Sequence, residues 1–164
     1  MIINRITIKN FRSYYGEVVF EMSKGLTLII GDNGDGKTTF FEALQWLFNT
    51  TVDDTSILNF SEKRKSELEV GEKDEVLVAM EFEHNGQKSV EKSFSIERTG
   101  ERSFRSLNFF FRGYEDNGSE RIPVNGKNLM NRCFDAYIQR YSMFKGESTL
   151  NVFDNPTALR ELVE

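Results

Sequence analysis

The eight residues from Gly31 to Thr38, GDNGDGKT, restrict this chain more than any other stretch of it. They follow an apolar run, Leu26 to Ile30 (LTLII), and precede a segment in which Phe40, Phe41, Leu44, Leu47 and Phe48 recur on one helical face. Because almost every position of Leu26 to Ile30 is apolar, the run reads as a strand buried on both faces. Strand, glycine turn and helix in that order match G-x-x-x-x-G-K-[ST], with Gly31, Gly36, Lys37 and Thr38 at the fixed positions. Glycines there let backbone N–H groups converge on a phosphate with no side chain between, and the turn opens into the positive end of a helix. Lys37 is placed to reach the terminal phosphates and the Thr38 hydroxyl to ligate Mg2+. Asp32 and Asp35 are awkward in an anion site. They are expected to point outward, with a nucleotide arriving as its Mg2+ complex.

The rest of the chain reads mainly as antiparallel sheet. Ile6 and Ile8 alternate with Arg5, Thr7 and Lys9, and Val18, Phe20 and Met22 repeat that period of two after the turn NFRSYYG. Beyond a polar stretch, Val76, Val78, Met80 and Phe82 alternate up to Asn85-Gly86, a strong hairpin signal. Val90, Phe94 and Ile96 alternate on the return against Ser89, Glu91, Ser93 and Ser95. Leu107, Phe109 and Phe111 then fall on one face with Phe104 and Phe110 on the other, and Asn117-Gly118 turns into a last strand, so residues 75–124 read as a meander of about four strands. After Asn125-Gly126, the spacing of Leu129, Met130, Cys133, Phe134, Tyr137 and Ile138 predicts a helix. A further helix is expected from Asn155-Pro156, with Leu159, Leu162 and Val163 opening its apolar stripe.

Composition narrows the classes. At 164 residues the chain is the size of one domain, and 38% hydrophobic residues with 15 Phe can fill a core. The net charge of −5 excludes a global basic field, so any DNA contact must be a local patch. The local candidates are Lys63, Arg64 and Lys65, and the meander arginines Arg98, Arg102, Arg105 and Arg112. One cysteine, Cys133, excludes an internal disulfide framework and a cysteine-rich metal site. No segment reaches the apolar length of a membrane span, so a cytoplasmic location is expected. No Asn-Lys-x-Asp guanine reader occurs, which argues against a GTPase.

The stretch INRITIKNFRSYYGEVVFEMSKGLTLIIGDNGDGKTTFFEAL resembles the N-terminal head segment of the SMC/RecF/RecN-like ATPases, which are ABC-type and include the double-strand-break repair ATPase. The likeness includes Asn33 and Gly34 in the middle of the loop, the NFRSY turn, the meander, and MFKGESTLNVFDNPTALRELVE, which is similar to the family's Q-loop followed by the base of its coiled coil. The fold this implies is α/β, a P-loop NTPase N-terminal lobe of ABC/SMC-like type, with an antiparallel meander packed beside a strand–loop–helix nucleotide site. Residues 1–50 would carry the first strands, loop and helix, residues 126–154 the second helix and Q-loop-like segment, and residues 155–164 the start of the coiled coil. The resemblance further implies that Asn33, Gly34, Asp35, Gly36, Lys37, Thr38 and Thr39 hold ATP phosphates and Mg2+, with Thr38 on the metal and Arg12 beside the nucleotide. Lys145 stands where the family's Q-loop normally offers Gln; an ammonium cannot ligate Mg2+, so Glu147 or water would have to do so.

ATP hydrolysis in this class needs an apolar strand ending in Asp-Glu and a signature loop from a partner. Neither is expected here, since VLVAMEFE alternates like a meander strand and no LSGGQ-type sequence occurs. The resemblance therefore implies an ATP-binding half of a head acting in DNA repair, chromosome organisation or phage defence, nearly inactive alone. Its partners would be the C-terminal half of the same head, a second head by homodimerisation, DNA, and a nuclease or effector subunit, with no membrane partner. The alternatives are the nucleotide-binding subunit of an ABC transporter and a small stand-alone phosphotransferase.

Overall fold

The computed structural model describes residues 1–134 other than 33, 117 and 119. Expectations for Asn33, Tyr137, Ile138, Lys145, Gly146, Glu147 and the helix from Asn155 lie outside the described residues. The elements in chain order are β1 (Ile2–Lys9), β2 (Glu17–Glu21), α1 (Lys37–Phe48), a 3-10 turn (Ile57–Asn59), α2 (Glu62–Glu67), β3 (Lys73–Glu83), β4 (Gln87–Arg98), β5 (Phe104–Asp116), β6 (Arg121–Asn125) and α3 (Gly126–Cys133). The six strands form one sheet in the order β2-β1-β3-β4-β5-β6. Every neighbouring pair is antiparallel.

The alternation read from the sequence decides which face is buried. Ile6 and Ile8 of β1, Val76, Val78, Met80 and Phe82 of β3, and Val90, Phe94 and Ile96 of β4 have 2% exposure or less. They share a core with Phe40, Ala43, Leu44, Trp46, Leu47 and Phe48 of α1 and with Leu129, Met130 and Cys133 of α3. The opposite face is a ladder of charges. Arg5 lies between Glu21 and Glu81, Lys9 reaches Asp74 and Glu75, and Arg112 meets Glu91. An antiparallel sheet packed on one side and wet on the other produces this division.

Three readings are corrected and one helix is added. Leu26 to Ile30 is not a strand, and Leu26, Leu28 and Ile30 are 89%, 73% and 81% exposed; of the run's large apolar side chains only Ile29 packs on the core. Apolarity asked for burial, but a strand exists only in a ladder, and no described strand pairs with this segment. The buried stripe of α1 is rotated relative to expectation, with Trp46 inside and Phe41 38% exposed. In β5, Asn108 adopts φ +51° and the β4–β5 register shifts between Ser93 and Ser95, so that Phe104 joins Phe109 and Phe111 on the core side. An inserted residue reverses the parity of every side chain beyond it, and periodicity alone cannot see that. Finally, the polar stretch before β3 contains α2, whose residues are polar throughout.

Candidate nucleotide-binding site

α1 begins at Lys37 with Gly36 as its N-cap, at φ +87° and ψ 9°. That left-handed conformation is cheap only for glycine. Among the described residues no side chain caps this end, and no acidic residue lies in the first turn. The opening N–H groups of a twelve-residue helix therefore face the loop uncapped, carrying the positive end of the helix dipole. This donor set fits a phosphate chain.

Lys37 folds back across the turn, its Nζ donating to the carbonyls of Gly31 at 2.5 Å and Asp32 at 2.6 Å. An ammonium has three donors, so one remains for a ligand. The Thr38 residue is exposed, and its hydroxyl makes no hydrogen bond among the described residues. Asp35 is exposed, as expected, and its carboxylate accepts the N–H of Asp32 at 2.5 Å, bracing the turn.

The NFRSY turn is a strut against this loop. The Tyr14 hydroxyl donates to the carbonyl of Gly36 at 3.2 Å, and Ser13 Oγ donates to Thr39 Oγ1 at 2.9 Å. Burial pushes the Tyr14 phenol up, which keeps it a protonated donor at neutral pH. A Cβ on Gly36 would lie 3.2 Å from Ser13 Oγ and 3.4 Å from the Tyr14 ring, a second reason for glycine there. The sequence reading placed Arg12 beside the nucleotide but missed these two hydroxyls; proximity of residues 13 and 14 to 36 and 39 is a tertiary fact.

Arg12, at φ +50°, is held on three sides. Its NH1 meets Glu42 of α1 at 2.6 Å, its backbone N–H donates to Asn59 O at 2.9 Å, and its guanidinium lies 3.4 Å from Asn59 Oδ1. Asn59, itself 3% exposed, donates onward to Asp54. Arg12 thus borders a cleft of about 550 Å³ whose other walls include Ser13, Leu58, Phe60 and Lys63.

The basic clusters are largely spoken for. Arg64 is bound by Asp74, Glu72 and Glu67, Lys65 by Glu62, Arg105 by Glu97 and Arg112 by Glu91. Arg98 donates to the carbonyls of Leu68, Gly100 and Glu101, and Lys63 stacks over the Tyr15 ring.

With this geometry in place, comparison with known proteins decides the family: the AAA domain family matches residues 5–162. The chain belongs to the AAA domain family. Within it, the chain is similar over part of its length to RecF, Smc and Rad50 proteins. The DNA replication and repair protein RecF of Prosthecochloris aestuarii is 36% identical over 98 residues, covering 55% of this chain and 26% of that protein. The DNA double-strand break repair Rad50 ATPase of Methanococcus maripaludis is 46% identical over 46 residues, covering 28% of this chain and 4% of its own length. The chain thus spans about a quarter of the RecF relative and far less of the Rad50 one. A solved structure from work on the structural biochemistry of ATP-driven dimerization and DNA stimulated activation of SMC ATPases superposes with a TM-score of 0.54 at 18% identity, over 99% of this chain and 98% of that one. That likeness establishes the fold. No helix among the described residues is long and apolar enough to cross a membrane.

Proposed function

We propose that this chain is the ATP-binding N-terminal part of an SMC/RecF-like ATPase head serving DNA repair, chromosome organisation or phage defence. The observation that carries the reading is the uncapped amino end of α1, opening onto a glycine turn across which Lys37 is already folded. The amides from Gly34 to Thr39 would hold the phosphates, Lys37 would offset charge on the terminal groups, and Thr38 would hold Mg2+. Bound Mg2+ would draw charge off the phosphates and orient them for attack by water. Arg12 and the adjoining cleft would lie against the rest of the nucleotide.

The remainder of the site would come from elsewhere. Leu26, Leu28 and Ile30 stand exposed directly before the loop, beside a cleft of about 590 Å³ lined by Met1, Ile2, Met22, Ile29, Phe41 and Leu44 among others. A contiguous apolar patch of this kind marks an interface. The C-terminal half of the same head would add strands there and supply the acidic metal ligand, and a second head would complete the nucleotide sandwich. Nucleotide that touches both heads would favour their docked state, and hydrolysis would release them. Since most of the basic clusters on this lobe are internally paired, DNA would bind a surface completed by the docked heads.

Isothermal titration with a nonhydrolysable ATP analogue and Mg2+ tests the reading. Binding by the wild type and its loss in Lys37→Ala are expected, with negligible steady-state ATPase from this chain alone. Equal heats from the two proteins would count against it.

A further inference from the structure

Arg12 lines two clefts at once. One is the 550 Å³ cleft that it shares with Ser13, Leu58, Phe60 and Lys63, and the other, of about 270 Å³, lies between α1 and the segment before α2. The groups that hold its side chain all belong to the smaller cleft. Nη1 pairs with Glu42 Oε2 at 2.6 Å, Nε and Nη2 both donate to Asn59 Oδ1 at 3.4 Å, and the guanidinium carbon lies 5.7 Å from the centre of the Phe11 ring. Glu42, Asn59 and Phe11 line the smaller cleft and none of them lines the larger. A guanidinium has five N–H groups; three are used here, and two remain.

Most of this grip is anchored in the core. Asn59 is 3% exposed and donates to Asp54 Oδ2 at 3.1 Å, while Asp54 O accepts the indole N–H of Trp46 at 2.8 Å. The Arg12 backbone adopts φ +50°, a left-handed conformation unfavourable for a residue with a Cβ, and its N–H is tied to Asn59 O at 2.9 Å. Strain of that kind persists where the surrounding contacts over-determine it. Glu42 differs, because its pair with Arg12 is open to water, with side chains 26% and 41% exposed, and such a pair adds little to stability. What the pair does is select one guanidinium orientation from the many that a long side chain samples.

We propose that Glu42 is a positioning residue: from α1 it holds Arg12 in the orientation in which the remaining N–H groups meet nucleotide in the larger cleft. The inference rests on the nucleotide reading above and adds to it a residue that acts through Arg12 rather than on the ligand. An arginine that must be ordered on binding subtracts that ordering from the affinity, and one already clamped does not. Glu42 lies one turn along α1 from Thr38, so its charge opposes a bound anion while its acceptor oxygen aids it. The two effects are separable. Gln keeps an acceptor for Nη1 and loses the charge, whereas Ala loses both.

The test is titration of the full chain with a nonhydrolysable ATP analogue and Mg2+, for the wild type, Glu42→Ala, Glu42→Gln, and Arg12→Ala with and without Glu42→Ala, with thermal midpoints as a control on folding. Glu42→Ala is expected to weaken binding by roughly 3- to 10-fold, the cost of ordering one long side chain, with a midpoint close to that of the wild type. Glu42→Gln should bind at least as tightly as the wild type. In the Arg12→Ala background the loss on Glu42→Ala should disappear, because the two changes remove one shared contact. Unchanged or tighter binding by Glu42→Ala overturns the inference, as does Glu42→Gln binding as weakly as Glu42→Ala, or an undiminished loss in the Arg12→Ala background; each leaves nucleotide binding by the wild type intact. A wild type that fails to bind overturns the nucleotide reading, and this inference with it.

Discussion

Lys92 occupies a place on β4 that the strand's period reserves for an apolar side chain. It has 0% exposure, and its ammonium reaches the carbonyls of Trp46 at 2.9 Å, Asn49 at 2.8 Å and Val52 at 3.4 Å. The rings of Trp46, Phe109 and Phe111 surround it at 4.8 to 5.7 Å. A cation at the carboxyl end of α1 satisfies carbonyls that no helix turn follows and meets the negative end of the dipole. Burial pulls the Lys92 pKa down to about 8, against the ordinary 10.5, with Asp54 and Asp53 opposing that fall. Below pH 8 the residue is charged folded and unfolded, so the cost of its burial is fully present. Between pH 8 and 10.5 the folded state loses the proton first, and its contribution to stability rises, by at most about 3 kcal/mol. Lys92→Met is expected to lose about 2 kcal/mol near neutrality by orphaning three carbonyls, and urea unfolding at several pH values should show the gap widening above pH 8. Next to it, Ser93 is fully buried with no partner for its hydroxyl among the described residues. Ser93→Ala should be neutral or stabilising by up to about 1 kcal/mol in the same experiment, because an unpaired buried hydroxyl contributes only its desolvation cost.

Among elements, the turn after β1 and the amino end of α1 behave as one unit. Phe11 makes an isolated antiparallel bridge with Phe60, and Asn10, 1% exposed, accepts the N–H of Gly16 and donates to Glu75 O. The turn is thereby anchored to β3 and to the segment before α2, and it presents Ser13 and Tyr14 to the loop from a fixed base. Tyr14→Phe keeps the ring edge-on to Phe20 and removes one neutral hydrogen bond. The expected result is about a 5-fold loss of nucleotide affinity by titration, matching roughly 1 kcal/mol, with an unchanged thermal midpoint. An equal loss of stability instead would assign Tyr14 to packing. The sequence showed both elements, since a glycine turn and an apolar stripe are local patterns. It did not show that they touch, because residues 13 and 39 are brought together only by the sheet between them.

For the whole molecule, the six-stranded sheet and its two core helices close one core and leave another surface open. Leu28 is 73% exposed. Leu28→Asp should leave the circular dichroism and thermal midpoint of this chain within about 0.5 kcal/mol of the wild type, as surface changes do. On the proposed function it should also prevent co-elution on gel filtration with the C-terminal half of the head that this reading calls for. Persisting co-elution would show that the exposed run is not the joining surface. The sequence by itself determined the glycine turn before α1, the meander and the identity of most core side chains, because period, glycine placement and turn chemistry are set within a few residues. Tertiary structure alone decided the insertion of β1 between β2 and β3, the parity reversal at Asn108 and the buried ammonium of Lys92. It also left Leu26 to Ile30 without a strand partner among the described residues. Each depends on what a residue meets across the fold: a ladder needs a neighbour, and a buried charge needs carbonyls that arrive from another element.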